Sequence, residues 1–186
     1  MSVSLVAPLF VKPEYRKGNF CVYNVRAYKE REAYIAELFK NRVEPLYGPQ
    51  DVELKEMWYG TKVKTRVLCK ENVPVGVIVF NNDLTRDTIL GETLVIRNFF
   101  YVKGLLAEKR MHDYFHQMIQ YVQSFAEKRF GYVPNFSFRL GSQLSPLLHV
   151  YKHYGFEVVK TVDNGYWEGM KELFLRVDNV PSVKGA

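Results

Sequence analysis

Cysteine is scarce in this sequence, with only Cys21 and Cys69 among 186 residues. Two cysteines cannot build the disulfide framework that holds small secreted domains together, so a reducing compartment, the cytoplasm, is the simpler expectation. Long apolar runs are also missing, since no segment approaches the roughly 18 apolar residues that a membrane-spanning helix needs. Residues 1–10 lack a basic leader and a small-residue cleavage site. We therefore predict no signal peptide and no membrane partner.

Internal repeats and low-complexity stretches are absent from the sequence as well. An aromatic content of 15% is typical of a packed globular protein. A chain of 186 residues can bury a stable core without disulfide bonds or bound metals. Residues 1–18 contain Pro8 and Pro13 and have no helical period, which predicts an extended N-terminal arm. We predict a single domain over residues 19–177, followed by a short tail over residues 178–186.

Positive charge is in excess, with a net charge of +6 at pH 7 and a pI near 9.2. This excess favours an acidic partner: a polyphosphorylated cofactor, an RNA or an acidic protein surface. A pure RNA-binding module is less favoured, because no aromatic-plus-basic pattern specific to RNA occurs. Four cations alternate along one predicted strand, which predicts a solvated face of a sheet: Lys62, Lys64, Arg66 and Lys70.

Apolar periodicity divides most of the chain into strands and helices. Two helices are predicted early, an amphipathic one over residues 27–42 and a short one over residues 52–58. Strands are predicted over Asn19–Val25, Lys62–Cys69, Pro74–Phe80, Thr93–Val102, around Phe136 and Phe138, after Gly155, and over Glu172–Val177. Turns are predicted at Glu71-Asn72-Val73 and at Asp163-Asn164-Gly165. The continuously apolar Thr93–Val102 is typical of a central strand.

The clearest helix is predicted over Met111–Phe130, ending at Gly131. Its apolar residues recur at helical spacing and form one stripe: Met111, Phe115, Met118, Ile119, Val122, Phe125 and Ala126. Such a stripe is typical of a face that packs on the core. We therefore expect this helix to lie across the central strand.

A short helix that stops at a glycine and runs into a strand is the most informative motif of the sequence. Ser145 can cap this helix, Pro146 suits its first turn, and Gly155 supplies the left-handed residue that ends it. Together with the order of the preceding elements, the segment Tyr151–Phe156 resembles the end of the GNAT N-acetyltransferase domain. The resemblance covers Asn19 to about Val177. It implies an α+β fold, with a mixed, mostly antiparallel twisted sheet flanked by helices on both faces.

The GNAT resemblance also implies an acetyl-CoA donor and an amine acceptor. In this family the backbone of the central strand, here Phe100, Tyr101 and Val102, pairs with the pantetheine arm. The N-terminus of the next helix, here from about Arg110, receives the pyrophosphate, because a helix start attracts anions. The sequence departs from the family at this turn, where side chains replace the expected glycines: Met111, His112, Asp113, Tyr114 and Phe115. We expect coenzyme binding to be weakened by this replacement but not abolished.

Two residues match catalytic roles of the family. Tyr151 aligns with the tyrosine that acts as general acid to the departing thiolate, a role that a phenol can fill without being ionised. Glu92, at the start of the central strand, is the candidate base for the amine. The family often has an asparagine about two turns before the tyrosine, and Leu144 stands there instead.

Histidines occur as two pairs with helical spacing, His112 with His116 and His149 with His153. Residues four apart lie on one helix face, as metal ligands do. Nothing else in the sequence resembles a ligand cluster, so we expect no metal.

Two functions of different classes remain from the sequence. The first is an N-acetyltransferase acting on a small amine, a protein or a charged tRNA. The alternative is a non-catalytic subunit with the same fold, held by its terminal arms in a larger assembly such as a phage particle. Binding of acetyl-CoA separates the two.

Overall fold

The computed structural model describes residues 11–28, 61–102, 108–141, 145–163 and 171–178, and the single positions Ala33, Ala36, Glu37, Lys40, Asn41 and Gly169. Residue contacts group the chain into two compact units. The first unit comprises Met1–Val79 and Asn98–Tyr114, and the second comprises Phe80–Arg97 and Phe115–Ala186. The predicted bounds of one domain over 19–177, with an arm and a tail, stay predictions.

Nine strands and two α-helices are continuous in the described residues, and the single positions Ala33, Ala36, Glu37, Lys40 and Asn41 are also helical. In chain order they are β1 (Tyr15–Lys17), β2 (Phe20–Asn24), β3 (Val63–Lys70), β4 (Val73–Asn81), β5 (Thr85–Asp87), β6 (Gly91–Tyr101), α1 (Glu108–Phe130), β7 (Phe136–Gly141), α2 (Ser145–His153), β8 (Glu157–Val162) and β9 (Glu172–Val177). A 3-10 turn, Val25–Ala27, follows β2.

The strands are hydrogen-bonded in the order β1-β2-β3-β4-β6-β7-β9-β8, with β5 paired to β6. Antiparallel pairing joins β1 to β2, β2 to β3, β5 to β6, β7 to β9 and β8 to β9. Strands β6 and β7 run parallel through the pairs Leu94–Phe136, Val95–Ser137 and Ile96–Phe138. The predicted mixed, mostly antiparallel sheet is confirmed.

The hairpin between β3 and β4 belongs to the first unit and turns through Glu71 and Asn72. Both residues have positive φ, 51° and 66°, which is the requirement of a two-residue type I′ turn. The side chain of Asn19 donates to Oε1 of Glu71 at 3.1 Å, which fastens the turn to the start of β2. The predicted turn is therefore observed, and it uses two residues that tolerate the left-handed region less well than glycine.

The apolar core of the first unit contains both cysteines. Cys21 on β2 lies opposite Cys69 on β3, and both thiols are free and buried. The Tyr28 hydroxyl lies 3.3 Å from Sγ of Cys69. Burial raises the pKa of Cys69 to about 11, the Tyr28 hydrogen bond opposes that rise, and nearby Cys21 adds to it. These thiols are packing groups of the core.

In the second unit, the stripe of α1 packs as predicted. Phe115, Met118 and Val122 are fully buried. Phe125 is half-buried, and its ring meets that of Phe80 edge-on at 5.1 Å. Neither described helix is long and apolar enough to cross a membrane.

Several boundaries differ from the sequence prediction. Helix α1 begins at Glu108, not at Met111, because its first turn is polar and carries no part of the apolar stripe. Strands β1 and β5 were not predicted, since three residues are too few to show alternation. The solvated face predicted for the alternating cations is wrong at Arg66, which is only 5% exposed. The helix over 52–58 lies outside the described residues, as do most of the helix over 27–42 and most of the turn at Asp163-Asn164-Gly165.

Candidate active site

The end of β6 is tied to the start of α1 within the first unit. The hydroxyl of Tyr101 donates to the backbone carbonyl of Met111 at 2.9 Å. The Tyr101 ring also meets Phe99 edge-on, with ring centroids 4.7 Å apart. This buried hydroxyl fixes the first turns of the helix against the strand that precedes it.

The first turn of α1 carries two exposed cations and begins with an acid, Glu108. Its first backbone N–H groups belong to Glu108, Lys109 and Arg110, and the side chains of Lys109 and Arg110 are exposed. The positive end of the helix dipole adds to these two charges. Asp113, one turn further on, is exposed and carries the opposite sign. The first turn can attract an anion, and its start lies two residues before the predicted Arg110.

The side chains that replace the expected glycines point mostly inward. Met111 and Tyr114 are buried, and the Tyr114 ring packs edge-on against Phe20 at 6.0 Å. His112 is half-buried. Phe115 is fully buried in the second unit, where its ring takes part in an aromatic cluster. Because the side chains of Met111, Tyr114 and Phe115 are buried in the core, they hinder a ligand at the start of α1 less than the sequence suggests.

The end of β6, which is predicted to pair with the pantetheine arm, has half-buried side chains on one of its two faces. Phe100 and Val102 pack against the apolar core of the first unit, and Tyr101 points to the opposite face of β6. A ligand along this strand would therefore meet its backbone rather than these side chains.

Asn98 is a polar residue of β6 that the sequence analysis did not single out. Its amide oxygen Oδ1 is buried and has no hydrogen-bond partner among the described residues. By alternation Asn98 shares a face with Phe100, two residues further on. Leaving a buried acceptor unsatisfied costs about 1–3 kcal/mol, so this oxygen is suited to receive a donor from a ligand. Its one sequence signal is a lone amide inside an apolar strand.

Tyr151 lies in the last turn of α2 and is 2% exposed. Three aromatic rings of the second unit surround it. Its ring centroid lies 4.9 Å from that of Phe115, 4.8 Å from Phe138 and 6.2 Å from Phe156. This packing restricts the ring to one orientation, which a proton donor needs.

The glycine after α2 holds Tyr151 through the backbone. Gly155 has φ +81°, and its N–H donates to the carbonyl of Lys152 at 2.9 Å. The N–H of Phe156 donates to the carbonyl of Tyr151 at 3.1 Å. These two bonds form a Schellman motif, the helix end that the sequence predicted. The same turn that marks the family resemblance thus fixes the backbone of Tyr151.

Glu92, the candidate base, lies at the start of β6 with a half-exposed side chain. Its Oε2 pairs with Nε of Arg86 at 2.8 Å, across the β5–β6 ladder. A proton acceptor here is open to water and lies beside the Arg86 guanidinium.

A second carboxylate of the second unit was missed by the sequence analysis. Asp87 accepts from the N–H groups of Ile89 and Leu90 at 2.7 and 3.0 Å, and from Arg139 at 2.8 Å. The pKa of Asp87 is lowered, first by the Ile89 hydrogen bond and then by those of Leu90 and Arg139. Arg139 also stacks on Phe174. Asp87 therefore organises the loop that leads to Glu92.

Among the described residues, no group of three or more His, Cys, Asp or Glu side chains is arranged to hold a metal ion. His116 and His153 instead lie beside Tyr154, with ring centroids 5.7 and 5.2 Å from it.

The comparison with solved structures decides the fold. An N-acetyltransferase from Staphylococcus aureus is similar with a TM-score of 0.61 at 10% identity, covering 87% of this chain and 98% of that one. An aminoglycoside 6'-N-acetyltransferase complexed with coenzyme A gives 0.61 at 11% identity, covering 86% and 97%. The chain has the GNAT fold.

A third GNAT structure is the Salmonella typhimurium acetyl transferase that modifies the N-terminal serine of ribosomal protein L7/L12. It has a TM-score of 0.59 at 12% identity and covers 88% of this chain and 97% of that one. The sequence itself matches no family model and no curated protein. Structural similarity thus confirms the GNAT fold that the sequence suggested, although sequence comparison finds no match.

Proposed function

We propose that this protein is an N-acetyltransferase that transfers an acetyl group from acetyl-CoA to a primary amine. The observation that carries the proposal is a GNAT fold in which β6, with the buried oxygen of Asn98, is followed along the chain by the first turn of α1 with its exposed Lys109 and Arg110. Similar structures include one complexed with coenzyme A. Fold alone does not fix an activity, so the residues have to fit the donor.

The first unit offers groups that fit the two ends of the coenzyme. The N–H groups at the start of α1 and the Arg110 guanidinium suit a diphosphate, the latter through a charge-assisted bond. Backbone groups of Phe100–Val102, other than the Val102 N–H that donates to the Val75 carbonyl, suit the pantetheine amides, as the resemblance implies. The oxygen of Asn98 can accept from an amide or amine N–H. Asp113 opposes the diphosphate, and we expect it to lower the affinity.

Acetyl-CoA, when bound, supplies an acetyl group activated as a thioester. The protein's task is then to move two protons. Glu92 accepts a proton from the acceptor amine, directly or through water, so that the nitrogen lone pair can attack. Tyr151 gives its phenolic proton to the sulfur that leaves as the C–S bond breaks. As the amide forms, the nitrogen loses a second proton to solvent, and Glu92 releases to solvent the proton that it accepted. The products are an amide and a free thiol, and Tyr151 regains its proton from solvent.

The acceptor is a primary amine on a small molecule, a protein or a charged tRNA. The proteins of similar shape act on acceptors as different as an aminoglycoside and a protein N-terminus. The net charge of +6 supports an acceptor that carries negative charge elsewhere in its structure. We place the reaction in the cytoplasm, where acetyl-CoA and reduced thiols coexist.

Isothermal titration with acetyl-CoA tests the proposal. We expect saturable binding by the full chain, weakened about tenfold in Arg110→Ala because one charge-assisted contact to phosphate is lost. Lys128→Ala, a change of an exposed cation in the last turn of the same helix, is the matched control and should bind like the parent. No heat and no thermal shift at millimolar acetyl-CoA would overturn the enzyme and favour the non-catalytic subunit.

A further inference from the structure

Strand β8 stands at the end of the strand order and has one open edge. Among the described residues it pairs with β9 and with no other strand. An edge of this kind presents a row of backbone N–H and C=O groups to another chain. The side chains of β8 are mostly exposed as well, and Val159 keeps 47% of its surface in water. The outer edge of β8 is therefore accessible to a partner strand.

A β-bulge decides which side chains of β8 share a face. Glu157 lies opposite Arg176 of β9 and Lys160 lies opposite Phe174, because Val159 is an extra residue that shifts the register. Strand β9 is regular, so Arg176 and Phe174, two residues apart, point to the same face. Opposite residues of an antiparallel pair also share a face. Glu157 and Lys160 thus lie on one face of β8, although residues three apart on an unbroken strand point to opposite faces.

The two charges of this face have no counter-ion in the part of the chain that the structure describes. No ion pair there involves Glu157 or Lys160, and both side chains are exposed. Arg176, the cation opposite Glu157, instead pairs with Asp178 and donates to the carbonyl of Leu90 at 2.7 Å. The edge therefore carries one acid and one base on the same face, both open to a partner.

We propose that β8 pairs antiparallel with β8 of a second copy of this chain, so that two sheets join into one. With Glu157 opposite Lys160 of the second copy, two-fold symmetry sets Lys160 opposite Glu157 of that copy. The register is possible because both side chains lie on one face. In the same register the exposed Val159 lies opposite Val158 of the second copy, which removes apolar surface from water.

The pattern of β8 favours a second copy over an unrelated strand. Lysines and bulges usually protect an edge, because both oppose pairing with an arbitrary chain. Here Glu157 supplies the counter-charge for Lys160 of a second copy, and the bulge brings the two charges into register. Opposite charges across a strand pair stabilise it, and like charges destabilise it. A strand of 6 residues buries little surface, so we expect a weak and reversible dimer.

Sedimentation equilibrium of the full chain at low ionic strength tests the dimer, over about 10 µM to 1 mM protein. We expect a monomer–dimer equilibrium with a Kd of about 100 µM. Glu157→Lys and Lys160→Glu each turn two attractive pairs into two repulsive ones, so each should raise Kd about tenfold or more. An equimolar mixture of these two variants has opposite charges at both pairs again, and it should associate like the parent. The double variant E157K/K160E exchanges the charges and should also dimerise like the parent.

Glu127→Lys and Lys128→Glu are the matched controls. They make the same two charge changes on exposed residues of α1, and we expect them to alter Kd by less than about twofold. A parent that stays monomeric at about 1 mM would overturn the dimer. Single variants that associate like the parent, or a mixture and a double variant that both stay monomeric, would overturn this register. The equilibrium is measured without acetyl-CoA, so its outcome is independent of the proposed acetyl transfer.

Discussion

Two helix ends of this molecule are built by opposite means. The C-terminal end of α2 is closed by backbone alone, because Gly155 lets two N–H groups fold back onto the carbonyls of Tyr151 and Lys152. The N-terminal end of α1 is held from outside, by the Tyr101 hydroxyl on the Met111 carbonyl, and its first turn carries exposed cations. A closed end positions a side chain, whereas an open end keeps N–H groups for a ligand. The predicted donor and the predicted phosphate site fall on these two different ends.

Removing the Phe115 ring should change the free energy of unfolding more than any other substitution proposed below. Phe115 lies just after the first turn of α1, and its ring packs against Tyr151 in the last turn of α2. Phe115→Ala removes a fully buried ring that lies 4.9 Å from that of Tyr151. We expect a loss of about 3–5 kcal/mol in the free energy of unfolding, measured by urea denaturation. Phe125→Ala is the reference, and it should cost less because the Phe125 ring is half-buried. Equal losses would show that the cluster around Tyr151 adds nothing beyond ordinary packing.

Tyr151→Phe separates the donor from its packing. The variant keeps the ring and the closed helix end but removes the hydroxyl, so turnover should fall about a hundredfold, which is about 2.7 kcal/mol of activation free energy. The affinity for acetyl-CoA should stay within about twofold of the parent. A coupled assay for released thiol measures the first, and titration calorimetry the second. Tyr132→Phe, which changes an exposed tyrosine, is the control; a similar rate in both variants would make Tyr151 a packing residue.

The closed end could be predicted from sequence, and the open end could not. Glycine in the left-handed region is a local requirement, so Gly155 marked the stop of α2 correctly. Apolar periodicity reports only the buried stripe, so it predicts a start at Met111 and gives no sign of the polar first turn that begins at Glu108. Burial of Arg66 was missed for a third reason. Its partner Glu14 is 52 residues away, and no local pattern records that contact.

Gly155→Ala strains the closed end alone. A Cβ at φ +81° costs about 1–2 kcal/mol for the left-handed backbone, and it would meet Cγ2 of Val177 at 3.4 Å. Gly131→Ala is a matched control, because Gly131 ends α1 with φ +79° and has nothing within 4 Å of an added Cβ. Thermal unfolding should show both variants destabilised, Gly155→Ala slightly more. If Gly131→Ala were the more destabilised of the two, the contact with Val177 would not matter.

Asp87 extends the comparison to a turn that a side chain closes. Because the folded protein lowers the pKa of Asp87, its carboxylate adds stability above the unfolded pKa of about 3.9, and that stability is lost as pH falls through the folded value. Asp87→Asn should therefore cost about 1 kcal/mol at pH 7. The difference from the parent should shrink below about pH 4 in urea unfolding curves. A pH-independent difference would show that the carboxylate charge is irrelevant to the turn.

The burial of the Cys21 and Cys69 thiols has a practical consequence for site-specific labelling of this protein. With a pKa of about 11, only about one Cys69 in ten thousand is a thiolate at pH 7, and Cys21 is shielded by the same core. A maleimide dye or a nitroxide applied at neutral pH should then attach to a cysteine introduced at an exposed position and spare both native ones. Fluorescence or spin-label distances could be recorded in the natural sequence background, without first redesigning the core that these two thiols fill.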